Sequence, residues 1–474
     1  MSTRALLEHK KPFDQLESAV LERHLARPDE VAKPVLDALR YVLNFAKLVT
    51  VRDEHGVDHD VKEALGTHAW KVWDLLKPRL AEEESTLWAA IRVLPELIAD
   101  TRVRRDQLIQ HFSIAPACID REVTHRELVM ALGGGGGSGY GYAGIFTLLH
   151  RAGIQPELIA GTSIGALLGL FRARTRQHDG ARLREANKKL SWPGVFKLGA
   201  ETSRYGLPAT LRFHLRAAIG DFFRHPDGTM MTMKDMGIPF MVTATGLTVD
   251  ALKHDLSYYE NFLDEVVRPN FVFRASRLAN LGRVAEIFKE FAQSPDALRE
   301  VVFGYDSGTE ETDCIDACGF SASVPGLLHY DVHRDDERMK HLLDALYAEH
   351  GITRLTEGGV VDNVPMRVAF EAAQRGRVKS GHRNVFVLGV DCFRPRPTSL
   401  IFYPLQQVAR ANVMRNIPYS NLYLPLTRVL NPANLVPPPD DVANASRWAM
   451  RDLEAHMPLL KLFCTPFPGL EGVH

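Results

Sequence analysis

The sequence predicts an α/β fold, a three-layer arrangement with a mostly parallel central sheet, preceded by an all-helical N-terminal region. Two observations carry that expectation. From Leu128 onward short apolar runs alternate with helical stretches, as a parallel sheet covered on both faces requires. Ahead of about residue 125, apolar residues recur instead at helical spacing and no strand pattern interrupts them. The expected organisation is a helical region over 1–125, an α/β domain over 126–400 and a C-terminal helical extension over 401–474. Helical insertions are expected in the α/β domain at 180–236 and 257–303.

In the first region Val35, Leu36, Leu39, Val42, Leu43 and Ala46 form one helical stripe. Leu87, Trp88, Ile91 and Leu94 form another behind a Ser85 cap, and Pro28, Pro34, Pro78 and Pro95 punctuate the pattern. Trp70, Trp73 and Trp88 are read as core. Leu128 to Leu132 is the first strand of the sheet, Gly139 to Ala152 the first helix and Glu157 to Ala160 the second strand. Residues 180–236 read as helical and basic, with Trp192, Phe196, Phe213, Phe222 and Phe223 among the charges, before Pro239 to Ala244 returns to the sheet. Ser257 to Phe303 reads as a second helical excursion, carrying Tyr258, Tyr259, Phe262, Phe271, Phe273, Phe288 and Phe291. Two readings of these insertions stay open: a lid over an apolar site, or ordinary helices packed on a sheet. Residues 320–330 (FSASVPGLLHY) are a small-residue segment ending in a Pro-Gly turn. Arg354 to Pro365 is a strand running into a second glycine turn, and Asn384 to Val390 is a further buried strand. Pro437, Pro438 and Pro439 mark a connector in the last seventy residues, and no internal repeat is present.

Composition excludes several classes. A formal net charge of −1 over 474 residues gives no field that would select nucleic acid, and Arg102, Arg104 and Arg105 read as a solvated helix face. Cys118, Cys314, Cys318, Cys392 and Cys464 are odd in number and scattered, which favours reduced thiols and a cytoplasmic location. Cys314 and Cys318 can share a helix face but lack two further ligands for a metal. The opening MSTRALLEHKKPFDQLE is charged throughout, unlike a secretory signal, and no run approaches the ~18 apolar residues of a membrane span.

Chemistry concentrates between Leu132 and Leu170. Gly161-Thr162-Ser163-Ile164-Gly165 fits the Gly-x-Ser-x-Gly pattern, in which a strand turns sharply into a helix and leaves a serine hydroxyl at the bend. Leu158, Ile159 and Ala160 supply the strand, and Ala166, Leu167, Leu168 and Leu170 the helix, so Ser163 is the candidate nucleophile. A serine needs a base to take its proton and fixed donors to meet the developing oxyanion. Gly134 to Gly139 (GGGGSG) offers bare backbone N–H groups at the start of a helix, whose dipole favours an anion. The same glycines would suit a dinucleotide phosphate, but the second strand would then end in an acidic residue rather than in Gly161-Thr162-Ser163.

These residues together resemble the patatin-like phospholipases. That family's signature is a glycine-rich loop, a G-x-S-x-G turn about two dozen residues later, and a distant D-G-[GA] turn. Gly134-Gly135-Gly136-Gly137-Ser138-Gly139 matches the loop, and Gly161 to Gly165 the serine turn. Ser321-Ala322-Ser323-Val324-Pro325-Gly326 is similar to the family's small-residue stretch, and Glu357-Gly358-Gly359-Val360-Val361-Asp362-Asn363-Val364-Pro365 to its acidic glycine turn. The resemblance covers roughly residues 127–395. Two departures stand out: Ser138 occupies a position where the family usually has Arg or Lys, and Glu357 the position of the catalytic Asp.

The resemblance implies a serine acyl-ester hydrolase that releases fatty acid from phospholipids or other lipids through a Ser–carboxylate dyad and an acyl-enzyme. Ser163 would be the nucleophile, Glu357 the base, and Gly134, Gly135, Gly136, Gly137 and Gly139 the oxyanion hole, with Asp362 the alternative base. It implies no metal or cofactor, a lipid substrate with peripheral membrane contact, and no nucleic-acid partner. An α/β-hydrolase would instead need His382, His456 or His474 after Glu357 or Asp391, but here the glycine loop and serine turn come too early in the strand order for that fold. Two other readings are an inactive lipid- or partner-binding protein on the same scaffold and an acyltransferase using the same serine.

Overall fold

The structure, a computed structural model, describes residues 1–81, 86–198, 203–251, 286–287, 289–291, 293–332, 335–396 and 402–470. The Ser85 cap, most of the 257–303 insertion including Phe288, and His474 lie outside the described residues. The chain packs as two units, one of residues 1–128, 371–386 and 455–474, the other of residues 129–370 and 387–454.

The first unit is built on helices Thr3–Ala26, Lys33–Ala46, Lys62–Leu80, Leu94–Phe112 and Pro116–Val123. Pro34 opens the second of these, where its missing N–H costs nothing. That helix is buried from Leu36 to Ala46, and its Tyr41 and Phe45 join Leu65, Leu108, Ile119 and Phe467 in one core. Two tryptophans depart from the sequence reading. Trp70 is 67% exposed and Trp88 54%, whereas Trp73 is half-buried with its ring edge-on to Phe13. The buried stripe of helix Lys62–Leu80 runs through Leu65, Ala69, Val72 and Leu76, and Trp70 stands beside it on the solvent side. A short hairpin, β1 (Thr50–Arg52) with β2 (Asp58–Asp60), also interrupts the helices where none was expected. Its turn is closed by Asp53 Oδ1, which accepts from the His55 and Val57 amides at 2.9 and 2.8 Å.

A buried ion network holds this unit. The Arg126 guanidinium is fully enclosed, donating to Glu17 and lying 2.9 Å from Asp14, while Arg40 donates to Glu17 at 3.0 Å and Lys47 to Asp14 at 2.8 Å. Burial alone would push the Glu17 carboxyl up, but the charges of Arg126 and then Arg40 overcome it and hold its pKa at about 2. Because the folded value lies below the unfolded one, this stabilisation is complete above about pH 4.3 and fades as pH falls towards 2. Glu17→Ala strands two buried guanidinium groups and is expected to cost about 3–5 kcal/mol at neutral pH. Urea unfolding of the two proteins checks this.

The second unit carries the sheet, two strands of which begin with residues of the first. Its strands are β3 (Glu127–Leu132), β4 (Pro156–Thr162), β7 (Phe240–Leu247), β8 (Leu298–Phe303), β10 (Arg354–Thr356), β11 (Val385–Asp391) and β12 (Leu422–Pro425). They lie in the order β10-β7-β4-β3-β11-β12, with β8 also pairing β7. β4 runs parallel to β7 and β11 to β12, while β8 and β10 are antiparallel to β7. Every residue of β7 and β11 is buried, as strands covered on both faces demand. The mostly parallel sheet with helices is thus as the sequence pattern predicted.

Three segments differ from expectation. The 180–236 insertion is only partly helical, because β5 (Phe196–Leu198) and β6 (Ala209–Phe213) build a small separate sheet with β9 (Gly326–His329). Leu298–Phe303 is a strand rather than the end of a helix, its apolar Val301 to Phe303 buried against β7. Residues 401–474 are shared between the units: β12 extends the sheet, and helix Met457–Cys464 packs against helix Thr3–Ala26. Among the described residues, no helix is long and apolar enough to cross a membrane.

Candidate active site

At the end of β4 the chain turns at Ser163 into helix Ile164–Ala173. The turn is strained: Ser163 sits at φ +55°, ψ −122°, one of two non-glycine residues with positive φ among those described. Small neighbours make it possible. A Cβ on Gly165 would stand 2.2 Å from the Leu132 carbonyl oxygen, and one on Gly161 2.7 Å from the Gly165 carbonyl, so strand and helix approach only because both are glycine. The Ser163 amide donates to Ser321 Oγ at 2.8 Å, and Ser321 Oγ donates to the Thr243 carbonyl at 2.6 Å. Ser321 therefore ties the bend to β7. Its small-residue segment stood out in the sequence, but nothing there pointed to this hydroxyl.

The glycine loop after β3 lies against this turn. Gly135 and Gly136 adopt φ +151° and +55°, which a side chain would resist. Their backbone N–H groups find no acceptor among the described residues, whereas the Gly134 amide donates to the Asn363 carbonyl at 3.0 Å and the Gly137 amide to the Pro432 carbonyl at 2.9 Å. Of the expected oxyanion donors, then, Gly134 and Gly137 are already engaged, and Gly139 packs against Ile164 inside the short turn Gly136–Gly141. Those acceptors lie more than two hundred residues away in sequence. Ser138 is fully buried and its hydroxyl donates to the Gly135 carbonyl at 2.6 Å, clasping the loop.

Glu357 follows β10 and reaches the same place. Its backbone is pinned on both sides: its amide donates to the Ser323 carbonyl at 2.9 Å, and Thr245 Oγ1 donates to its carbonyl at 2.7 Å. Glu357 is buried, and Oε1 accepts from the Gly359 amide at 3.3 Å. Burial pushes its carboxyl up to about 8, opposed by the neighbouring Ser163 hydroxyl and by the Gly359 amide. Oε2 has no hydrogen-bond partner among the described residues.

Asp362 faces elsewhere. Its buried carboxyl is set among Glu300, Arg367, Arg415 and Asn416, and desolvation, then Glu300, drives its pKa well above the ordinary carboxylate range. Its backbone carbonyl accepts from Thr162 Oγ1 at 2.9 Å. Asn412, which the sequence did not single out, braces this turn, accepting from the Asn363 amide and donating to the Gly359 carbonyl, each at 3.0 Å. Asp391 is occupied by the Phe393 amide and the Tyr423 hydroxyl, both at 2.7 Å, and His382 and His456 belong to the helical unit.

Ser163 opens into a cavity of about 120 Å³. Gly136 lines it beside the serine, and beyond them the walls are apolar: Leu167, Phe171, Leu183, Leu190, Phe196, Phe213 and Ile219 among others, with no histidine. Most of the far wall comes from the 180–236 insertion.

A family model described as patatin-like phospholipase matches residues 130–370. The chain is also similar to the mouse and rat forms of "Patatin-like phospholipase domain-containing protein 7", each 26% identical over 166 residues. That stretch is 34% of this chain and only 12% of each relative's length. Since the family match takes in just over half of the residues and spans the glycine loop, the serine turn and the Glu357 turn, the chain belongs to the patatin-like phospholipase family.

Proposed function

We infer that the protein is a lipid acyl hydrolase working through a serine acyl-enzyme. The observation that carries the reading is a strained, buried serine at a helix N-terminus that shares an apolar cavity with a bare glycine amide and stands beside a buried carboxylate. In the proposed reaction the acyl chain lies along Leu183, Phe196 and Phe213, leaving the ester carbonyl at Ser163. Ser163 Oγ attacks the carbonyl carbon as its proton passes to Glu357. The Gly135 and Gly136 amides meet the oxyanion, aided by the positive end of helix Ile164–Ala173. Collapse breaks the ester bond, and the leaving alcohol takes the proton from Glu357. Water then attacks the acyl-enzyme carbonyl as Glu357 accepts its proton, and collapse breaks the acyl–Oγ bond while Glu357 returns that proton to Ser163 Oγ, releasing fatty acid and the free enzyme.

Nothing in this sequence of steps calls for a metal, since a side chain is the nucleophile and backbone donors meet the charge. A cavity of this apolar character favours long acyl chains over short ones, because each methylene moved out of water contributes about 0.8 kcal/mol. Trp192, 47% exposed and packed on the cavity residue Phe196 with ring centroids 4.6 Å apart, supports peripheral contact with a lipid surface. The test is fatty acid release from phospholipid vesicles, compared with hydrolysis of water-soluble acetyl and long-chain p-nitrophenyl esters. Release of fatty acid with a preference for long chains is expected; hydrolysis of the acetyl ester alone would contradict a lipid substrate. Product analysis with a competing alcohol separates hydrolysis from acyl transfer.

A further inference from the structure

We propose that His125, Glu127 and His382 form a binding site for one zinc-like divalent transition-metal ion. All three belong to the helical unit, and each brings a ligand atom to within 4.8 Å of the other two.

His382 is 1% exposed, and its Nε2 is hydrogen-bonded to the Arg121 carbonyl oxygen. A carbonyl only accepts, so the proton is on Nε2 and Nδ1 carries the lone pair. That Nδ1 is buried without a hydrogen-bond partner and faces Glu127 Oε1 at 3.9 Å, too far for a hydrogen bond between them. Nδ1 of His125 is likewise buried and without a partner, its ring centroid 4.8 Å from that of His382. The other Glu127 oxygen, Oε2, accepts from Ser380 Oγ at 2.8 Å, and the same hydroxyl accepts from the His382 amide at 3.1 Å.

Two buried imidazole nitrogens without hydrogen-bond partners, on rings grouped with a carboxylate, are costly unless a cation draws the group together. The outer contacts are also those that orient metal ligands: a carbonyl fixes the tautomer of one histidine, and a hydroxyl holds the remote oxygen of the carboxylate. Two imidazole nitrogens and one carboxylate oxygen suit zinc, with a fourth position left for water, and they do not suit calcium or magnesium, which take oxygen. At zinc bond lengths neighbouring ligands stand about 3.3 Å apart, so the 3.9 Å gap closes with small side-chain rotations. The acidic trio Asp313, Asp316 and Asp336 is different in kind, because Arg216 bonds all three and Arg338 also bonds Asp313.

An ion held here would clip the segment at 125–127 to that at 380–382 and so stabilise the fold of this unit. The experiment uses the full chain, stripped with a chelator and then titrated with zinc chloride, following heat of binding and thermal unfolding. One equivalent is expected to bind and to raise the unfolding midpoint, and His125→Gln and Glu127→Gln are each expected to weaken binding at least tenfold and abolish the rise. These two variants are chosen because both are less buried than His382 and leave its link to Arg121 intact. Absence of binding by the parent, or equal binding by parent and both variants, would overturn the proposal and leave the group as an unclosed His–Glu pair.

Discussion

Ser163→Ala is expected to lower kcat/KM for fatty acid release by roughly 10⁴-fold or more, with secondary structure and unfolding midpoint little changed. The size follows from the role: without Oγ no acyl-enzyme forms, and only positioning and oxyanion stabilisation by Gly135 and Gly136 remain. Stability should hold or rise, because alanine at the bend removes a hydroxyl that no backbone partner requires, while the Ser163 amide's bond to Ser321 persists. A variant that keeps a tenth of parental activity would exclude Ser163 as the nucleophile.

Glu357→Gln is expected to cost about 10²–10⁴ in kcat/KM, since the amide cannot take the serine proton. The parent should also show a distinctive pH profile. With the Glu357 carboxyl held at about 8, most of it is protonated at pH 7 and unable to act as base, so activity should climb as pH rises through about 8 and level off above. An unperturbed carboxylate would already be ionised by pH 6 and give a flat profile across that range. Asp362→Asn is the control. Burial, then Glu300, pushes that carboxyl well above the ordinary carboxylate range, its surroundings are Glu300, Arg367, Arg415 and Asn416 rather than Ser163, and an amide of the same size should leave kcat/KM near the parental value. Loss of activity in Asp362→Asn together with retention in Glu357→Gln would reverse the assignment of the base.

What the sequence revealed of this arrangement depended on how local each feature is. The bend at Ser163 could be read because its requirements lie within five residues: two glycines where strand and helix touch, an apolar run before and an apolar helix after. Glu357 could be read only through family resemblance, since nothing in residues 354–365 says that they fold back onto Ser163. The amides of Gly134 and Gly137 looked equivalent to those of Gly135 and Gly136 in the string GGGGSG. Their acceptors, Asn363 and Pro432, are set by tertiary packing alone. Ser321 and Asn412 were unreadable for the same reason.

Among the larger elements, long buried strands showed through and short ones did not. β7 and β11 are continuous apolar or threonine-bearing runs, whereas β5 has three residues and the hairpin β1–β2 turns only Val51 fully inward. Helical spacing also identified the stripe of helix Lys62–Leu80 without telling on which side of it Trp70 would fall. A large aromatic side chain biased the reading towards the core, but the neighbouring Ala69 and Val72 already filled the buried face.

The central claim is that the hydroxyl of Ser163 is activated by the carboxylate of Glu357. Reaction of the purified chain with a fluorophosphonate, followed by peptide mass analysis, tests it most directly. One label per chain is expected on the peptide carrying Ser163, formed faster at pH 8.5 than at pH 6.5 and much more slowly in Glu357→Gln. Label on another residue, or none in a preparation that still releases fatty acid, would contradict the account.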